Sequence, residues 1–224
     1  MSRPITSELI HFAQQMSGHG LNKGTAGNLS VRGTWEDEPG FWITPTGMDY
    51  ASLHPEDIPF VSMAQAADAE TPACNAASLR KPSSEWRLHL DLYRAQPAAG
   101  AILHAHSPFA TSLACLRREI PPFHYMIARF GGDTVRCAPY ALFGTQALSD
   151  GAVAAMTGRS ACLLANHGMV VCAAGLKKAL DAAIELESLC EQYWRACLLG
   201  DPVILNAGEM TAVAARFANY GKQS

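Results

Sequence analysis

Short apolar runs bounded by turn residues, interleaved with longer stretches of helical periodicity, most constrain what this chain can fold into. Ala101-Ile102-Leu103 follows the turn signal Pro97-Ala98-Ala99-Gly100 and is stopped by Ser107-Pro108, and Ala161 to Leu164 and Val170 to Cys172 are runs of the same kind. Runs this short and this apolar read as buried strands. Asn28 to Arg32 and Phe41 to Thr44 read as two more, joined as a hairpin by the polar loop holding Glu36-Asp37-Glu38-Pro39-Gly40, with Asp57 to Met63 as a further strand. Helical spacing accounts for much of the rest. Leu9, Phe12, Ala13 and Met16 share one face of an N-terminal helix. Ser84 is an N-cap for a helix running to about Arg94, with Trp86, Leu90 and Tyr93 near one face. Ser107 to Leu116, Gly144 to Met156, Leu176 to Leu199 and about Glu209 to Phe217 complete the set. The longest carries the apolar stripe Leu176, Leu180, Ala183, Leu186 and Cys190 and is stopped by Pro202. This is a layered α/β pattern, with helices packed around one sheet.

At 224 residues and 49% apolar, residues 1–224 fit one domain with a core that needs no disulfides. A net charge of −3 with no run of basic residues longer than two argues against nucleic acid or an anionic membrane surface, leaving a small molecule as the expected partner. Seven cysteines, Cys74, Cys115, Cys137, Cys162, Cys172, Cys190 and Cys197, are odd in number and lack close pairing, as for reduced thiols in the cytoplasm. The N-terminus is amphipathic and lacks the unbroken apolar core of a signal peptide. No apolar stretch reaches the roughly 18 residues that span a bilayer. The Ala, Asp, Thr and Pro mixture from Ala64 to Leu79 reads as an exposed loop.

His104-Ala105-His106 places two imidazoles on one face at the end of a buried strand, where they either chelate one ion or hydrogen-bond within a core. His167, at the turn between two apolar strands and followed by Gly168 as if the backbone turned sharply there, could supply a third nitrogen, a set suited to Zn²⁺. Glu85 lies at a helix start, where orphan amides favour the carboxylate. It reads either as a cap or as a group that ligates a metal and carries a proton. Gly24-Thr25-Ala26-Gly27-Asn28, Thr44-Pro45-Thr46-Gly47 and Pro82-Ser83-Ser84 are turns whose hydroxyls and amides can cradle phosphate without Lys or Arg, or can simply be turns.

Together these segments resemble the class II aldolase/adducin family, most closely its zinc-dependent sugar-phosphate aldolases, over nearly the whole chain. The resemblance is carried by Gly20 to Arg32, Ile43-Thr44-Pro45-Thr46-Gly47, Pro82-Ser83-Ser84-Glu85-Trp86-Arg87, His104-Ala105-His106, Ile120 to Ala128, Cys137 to Thr145 and Leu163-Leu164-Ala165-Asn166-His167-Gly168. It implies a mainly antiparallel central sheet flanked by helices. It also implies one Zn²⁺ per subunit held by His104, His106, His167 and, at rest, Glu85, and a phosphate pocket of Thr25, Gly27, Asn28, Thr46, Gly47, Ser83 and Ser84. Tyr125 and Tyr220 match tyrosines that the family contributes across subunit interfaces, which implies a homotetramer. The implied reaction is reversible cleavage of a ketose 1-phosphate, such as L-fuculose 1-phosphate or a related deoxy sugar phosphate, to dihydroxyacetone phosphate and an aldehyde. The same family holds 4-epimerases, a methylthioribulose 1-phosphate dehydratase, phosphorylated keto-acid decarboxylases and the noncatalytic adducin-like scaffold. In the scaffold the metal ligands are expected to be lost, and here all four are present. The sequence departs from the pattern in a longer 64–79 segment and in Asn166, where a relative has another histidine.

Overall fold

The computed structural model describes residues 3–65, 72, 78 and 80–217. Its sheet begins at a hairpin tip where Glu36 and Asp37 both take positive φ, 47° and 67°, the twist a two-residue loop needs between antiparallel strands. The strands β1 (Asn28–Trp35) and β2 (Glu38–Ile43) therefore pair right up to the tip, Trp35 opposite Glu38, and Glu38, Pro39 and Gly40 belong to a strand instead of the expected loop. Helix α1 (Arg3–Gly18) precedes them, and β3 (Phe60–Ser62), α2 (Trp86–Ala95), β4 (Ala101–Ala105) and α3 (Pro108–Ala114) follow. The chain closes with β5 (Cys137–Ala138), α4 (Gln146–Ala155), β6 (Ala161–Leu164), β7 (Gly168–Ala173), α5 (Leu176–Leu199) and α6 (Ala207–Phe217).

Among the described residues seven strands form one sheet in the order β3-β2-β1-β4-β7-β6-β5. Every pairing is antiparallel except β5 with β6. Side-chain alternation gives the sheet two apolar faces. Leu29, Val31, Leu103 and Val171 meet Leu9, Ala13 and Met16 of α1, Leu113 of α3 and Leu180, Ala183 and Leu186 of α5. Phe41, Ile43, Ile102, Leu164 and Val170 meet Leu88 and Leu92 of α2 and Leu148 and Ala152 of α4. The central strand β4 is buried along its whole length because both faces are covered.

Some expectations need correction. The strand expected from Asp57 to Met63 spans only Phe60–Ser62, since Asp57 ends a 3-10 turn and its carboxylate is engaged by the His54 N–H and the Arg80 guanidinium. The N-cap of α2 is Glu85, without a side-chain cap bond, because Ser84 stands outside the helix and Ser83 is the serine whose Oγ accepts the Glu85 N–H. The helix expected from Gly144 starts at Gln146, and Thr145 accepts the Leu148 N–H as its N-cap. Of the expected loop, residues 64, 65, 72 and 78 are described, and Cys74 lies outside the described residues. The other six cysteines are free thiols. Burial pushes the Cys172 thiol up to about 12, which leaves it protonated and unreactive. Among the described residues no helix is long and apolar enough to cross a membrane.

One partly buried carboxylate ties α5 to the segment after β4. Glu187 accepts the Ser107 hydroxyl at 2.6 Å and the Phe109 and Ala110 amides at 2.7 and 2.9 Å, which satisfies the N-terminus of α3. Glu187→Ala removes three charge-assisted bonds and should lower the unfolding free energy by about 1–3 kcal/mol, measured by urea denaturation against wild type.

Candidate metal centre and active-site cleft

Antiparallel pairing sets Asn28 of β1 opposite His104 of β4 in the middle of the sheet. His106 lies two residues on, just past the strand, so its ring falls on the same side as that of His104, with centroids 4.8 Å apart. His167 comes from the β6–β7 turn. The backbone turns sharply there, as the sequence suggested, but the left-handed residue of the turn is Asn166 (φ 53°) and not Gly168. Gly168 is required for a different reason: a Cβ there would lie 2.4 Å from the Ala105 carbonyl oxygen and 3.0 Å from the His106 ring. The His167 ring then sits 4.7 Å from His104 and 4.8 Å from His106, and the three rings are mutually inclined at 72° to 74°.

Glu85 faces this pinwheel. Its Oε2 lies 3.1 Å from His104 Nε2 and accepts the Asn28 amide at 2.9 Å, while Oε1 lies 3.2 Å from His167 Nε2. The expected stabilisation of the carboxylate by helix amides is not what holds it, since the side chain makes no cap bond and turns to the imidazoles instead. His104 Nδ1 is 2.8 Å from the Met169 carbonyl oxygen, which can only accept, so Nδ1 carries the hydrogen and neutral Nε2 offers a lone pair. That lone pair points among His106 Nε2, 2.9 Å away, and the carboxylate.

Burial, the largest influence on Glu85, raises its pKa, but His104, His167 and the Asn28 bond outweigh it and hold the carboxyl well below the usual range. Burial pulls His104 down and Glu85 more than restores it. Burial, and next the neighbouring His104, push His106 and His167 down to about 4, so both are neutral donors near pH 7. Ligand atoms of Glu85, His104, His106 and His167 all lie within 4.8 Å of one another. Glu85 Oε1 is buried without a hydrogen-bond partner, its 3.2 Å approach to His167 being out of line for one. Three imidazole nitrogens and an incompletely satisfied carboxylate converging in this way fit a divalent cation.

The cluster opens into a cavity of about 370 Å³, lined by Thr25, Ala26, Gly27, Asn28, Pro45, Thr46, Gly47, Ser83 and Ser84, by Glu85, His106 and His167, and by Tyr140, Ala141, Phe143 and Asn166. No Lys or Arg is among the residues lining it. The turns that hold its hydroxyls interlock: Pro45 bridges Pro82, the Thr46 N–H reaches the Lys81 carbonyl and the Ser83 N–H the Thr44 carbonyl. Gly27 (φ 76°) is fixed by space as well as φ, since a Cβ would stand 2.6 Å from the Asn22 amide and 2.7 Å from the His104 carbonyl oxygen. The buried Tyr50 donates to the Gly27 carbonyl and clamps the same turn.

Thus every sequence-nominated phosphate and metal residue lines this cavity or the cluster at its base. Tyr125 does not: it is half exposed on a 3-10 turn, beside His124 and Phe217. Tyr220 lies outside the described residues. Sequence reading missed Ser30, His89 and Tyr93, which are buried behind Asn28. The four-residue spacing of Glu85, His89 and Tyr93 along α2 was the available signal. It also missed Tyr140 and Phe143, which have no distinguishing spacing.

A three-histidine, one-carboxylate cluster at the floor of a cleft rich in hydroxyls and backbone amides, on a sheet with helices on both faces, fits a metal-dependent lyase. Residues 7–194 match the family model described as Class II Aldolase and Adducin N-terminal domain, and the chain belongs to that family, as an enzyme of the class II aldolase type. It is 50% identical over 213 residues to the 5-methylthioribulose-1-phosphate/5-deoxyribulose-1-phosphate aldolase of Rhodospirillum rubrum, covering 95% of this chain and 90% of that one. It is 39% identical over 218 residues to the L-fuculose phosphate aldolase of Escherichia coli K12, covering 97% and 95%. A solved L-fuculose 1-phosphate aldolase superposes with a TM-score of 0.88 at 38% identity, over 97% of this chain and 98% of the other.

The depressed histidines have a consequence for stability. His106 and His167 fall to about 4 and His89 to about 3, all below the ordinary 6.5, so between about pH 6.5 and 4 the unfolded chain binds more protons than the folded one. Stability of the metal-free protein should therefore fall on acidification through that window, by up to about 1.4 kcal/mol per pH unit for each such group. The raised His104 acts only above 6.5, with the opposite sign. Urea denaturation of chelator-treated protein at a series of pH values checks the slope.

Proposed function

We propose that the chain is a zinc-dependent aldolase that reversibly cleaves a ketose 1-phosphate to dihydroxyacetone phosphate and an aldehyde. The observation that carries this reading is a single cavity that joins a hydroxyl and amide cradle, the Glu85–His104–His106–His167 cluster and an apolar wall. His104, His106 and His167 would hold the metal, with Glu85 completing the set at rest. When bound, the metal polarises the substrate carbonyl and offsets negative charge developing beside it.

The chain's own residues supply the rest. Thr25, Gly27, Asn28, Thr46, Gly47, Ser83 and Ser84 bind and orient the phosphate through hydroxyls and amides, which place the C3–C4 bond beside Glu85. On cleavage the C4 hydroxyl passes its proton through Tyr125 to solvent and C4 becomes the aldehyde. The C3–C4 electron pair stays with C3, and Glu85, having taken up a proton from solvent, delivers it to that carbon and returns to the carboxylate. In synthesis Glu85 removes the same proton. Tyr125, exposed and outside its own subunit's cavity, is assigned to the O4 oxygen in the cleft of an adjoining copy, and Tyr220, outside the described residues, is assigned as the second catalytic tyrosine. This assignment requires sites between subunits, and we read the assembly as a homotetramer. We further read the 224 residues as one domain acting in the cytoplasm.

Tyr140 and Phe143 favour an aldehyde with a short apolar end, so 5-deoxy- and 5-methylthio-pentulose 1-phosphates, which release acetaldehyde and its methylthio derivative, are the preferred substrates. The substrate in the name of the 50% identical relative supports this choice. L-Fuculose 1-phosphate is the second reading, supported by the 39% identical relative.

The test is a panel of ketose 1-phosphates assayed for dihydroxyacetone phosphate with and without chelator. Cleavage should vanish on chelation and return with Zn²⁺. Glu85→Gln should lower kcat by about 10²–10⁴-fold while metal content survives on the three imidazoles, read by elemental analysis and steady-state kinetics. An isomerised sugar, a diketone or carbon dioxide as product would instead indicate an epimerase, a dehydratase or a decarboxylase.

A further inference from the structure

Behind the carboxylate and Asn28 a buried line of polar groups continues through His89, Ser30 and Tyr93, which no step above uses. Glu85, His89 and Tyr93 recur every four residues along α2 and its cap, a spacing of about 6 Å. Asn28 and Ser30 recur every two along β1, about 6.8 Å apart. Because the two repeats nearly match, strand and helix side chains interdigitate into one hydrogen-bonded line: Tyr93, Ser30, His89, Asn28, Glu85. All five are buried.

The direction of every bond follows from one end. An ionised Glu85 only accepts, so the group of Asn28 facing it at 2.9 Å is Nδ2, which also donates to Ser83 Oγ at 2.9 Å. Asn28 Oδ1 must then face His89, and His89 Nε2 must carry the hydrogen that bonds it. His89 Nδ1 is left as an acceptor and takes the Ser30 hydroxyl at 2.6 Å, and Ser30 Oγ takes the Tyr93 hydroxyl at 2.9 Å. Burial pushes His89 down to about 3, in keeping with a neutral ring. Phe41 stacks on that ring, with planes inclined by 20°, and limits its rotation. Turning the Asn28 amide over would set oxygen against the carboxylate and strip Ser83 of its donor.

We infer that His89 is a positioning residue: held in its Nε2–H form by Ser30 and Tyr93, it locks the Asn28 amide in the one orientation that donates to both Glu85 and Ser83. One imidazole that touches no substrate thereby aims the proton-carrying group and one wall of the phosphate cradle together. The inference rests on the aldolase reading for the roles of Glu85 and Ser83, and its test separates the two.

The first measurement is independent of turnover: ¹⁵N spectra of the imidazoles in metal-free wild type should show His89 neutral, with hydrogen on Nε2 and none on Nδ1. The second uses the ketose 1-phosphate that the wild type cleaves. His89→Leu should lower kcat by about 10–100-fold with bound metal and unfolding midpoint retained. His89→Gln, whose amide nitrogen can stand where Nε2 stands, should recover to within about threefold of wild type. Adding His89→Leu to Asn28→Ala should cost nothing more, whereas a side chain that only fills the core would add its own loss. Ser30→Ala, which removes the donor to Nδ1, should lower kcat in the same direction, again with no further loss on Asn28→Ala, and carries the test should His89→Leu not fold. Hydrogen on Nδ1, unchanged kcat in folded His89→Leu, a folded His89→Gln as impaired as His89→Leu, or additive losses would each overturn the inference. A wild type that cleaves no ketose 1-phosphate overturns the aldolase reading instead, and the ¹⁵N measurement then decides this one.

Discussion

The antiparallel pairing of β1 with β4 is the constraint on which the rest of the structure depends. It joins the N-terminal hairpin and β3 to the strands that carry the histidines, and its register sets Asn28 against His104 and Ser30 against Ile102. A slip of one residue would turn Asn28 and Ser30 to the face of α1 and α5, since successive side chains alternate. That face is filled by Leu29, Val31 and Leu103, so a slip would also bury amide and hydroxyl groups without partners. The approach at the end of the seam is close enough that Gly27 has no room for a Cβ against the His104 carbonyl. Fold register and site geometry are therefore one specification.

The sheet's centre pays for this with buried polar groups. Asn28, Ser30, Glu85, His89 and His104 are all withdrawn from water, where an unpaired polar group costs about 1–3 kcal/mol and a lone charge more. Four of the five are satisfied within the line and by the Met169 carbonyl. Glu85 is the exception, with Oε1 unbonded and three imidazole rings ranged about the carboxylate's mouth. The deficit is confined to the point where a cation fits and surrounded by groups that leave it no alternative partner.

How much of this was legible in the sequence depended on whether a residue's partner was near it in the chain. The apolar runs of β4, β6 and β7 and the stripe of α5 were legible because period and punctuation are local. His104 and His106 announced themselves by a spacing of two. The two-residue β5 is too short to show a period, and the strand residues Glu38 to Gly40 were hidden by their polar, turn-like composition. Ser84 was a good N-cap by local rules, yet the N-cap is Glu85 and the helix starts at Trp86, with Ser83 the serine that takes the Glu85 N–H and the amide of Asn28, 55 residues away. His89 and Tyr93 read as one polar and one apolar position on a helix. Their pairing with Ser30 exists only once the strand lies against the helix, and no local pattern reports it.

Backbone strain shows the same economy. Four described residues other than glycine take positive φ: Glu36 and Asp37 at the hairpin tip, and Arg117 (54°) and Asn166 (53°). The last two are bonded to each other, Arg117 Nε to Asn166 Oδ1 at 2.6 Å, and the Asn166 N–H reaches the Ala114 carbonyl. Asparagine tolerates this region at little cost, whereas arginine does not. The bond from Arg117, which also lies over the Tyr140 ring, therefore joins the strained end of α3 to the turn that presents His167 and to the aromatic wall of the cleft. Replacing Asn166 with alanine would deprive Arg117 of its acceptor and leave a residue less tolerant of the left-handed region beside His167. In this chain the third imidazole and the apolar wall are coupled through one guanidinium, so a change in what the cleft admits is also a change in how firmly the cluster is held.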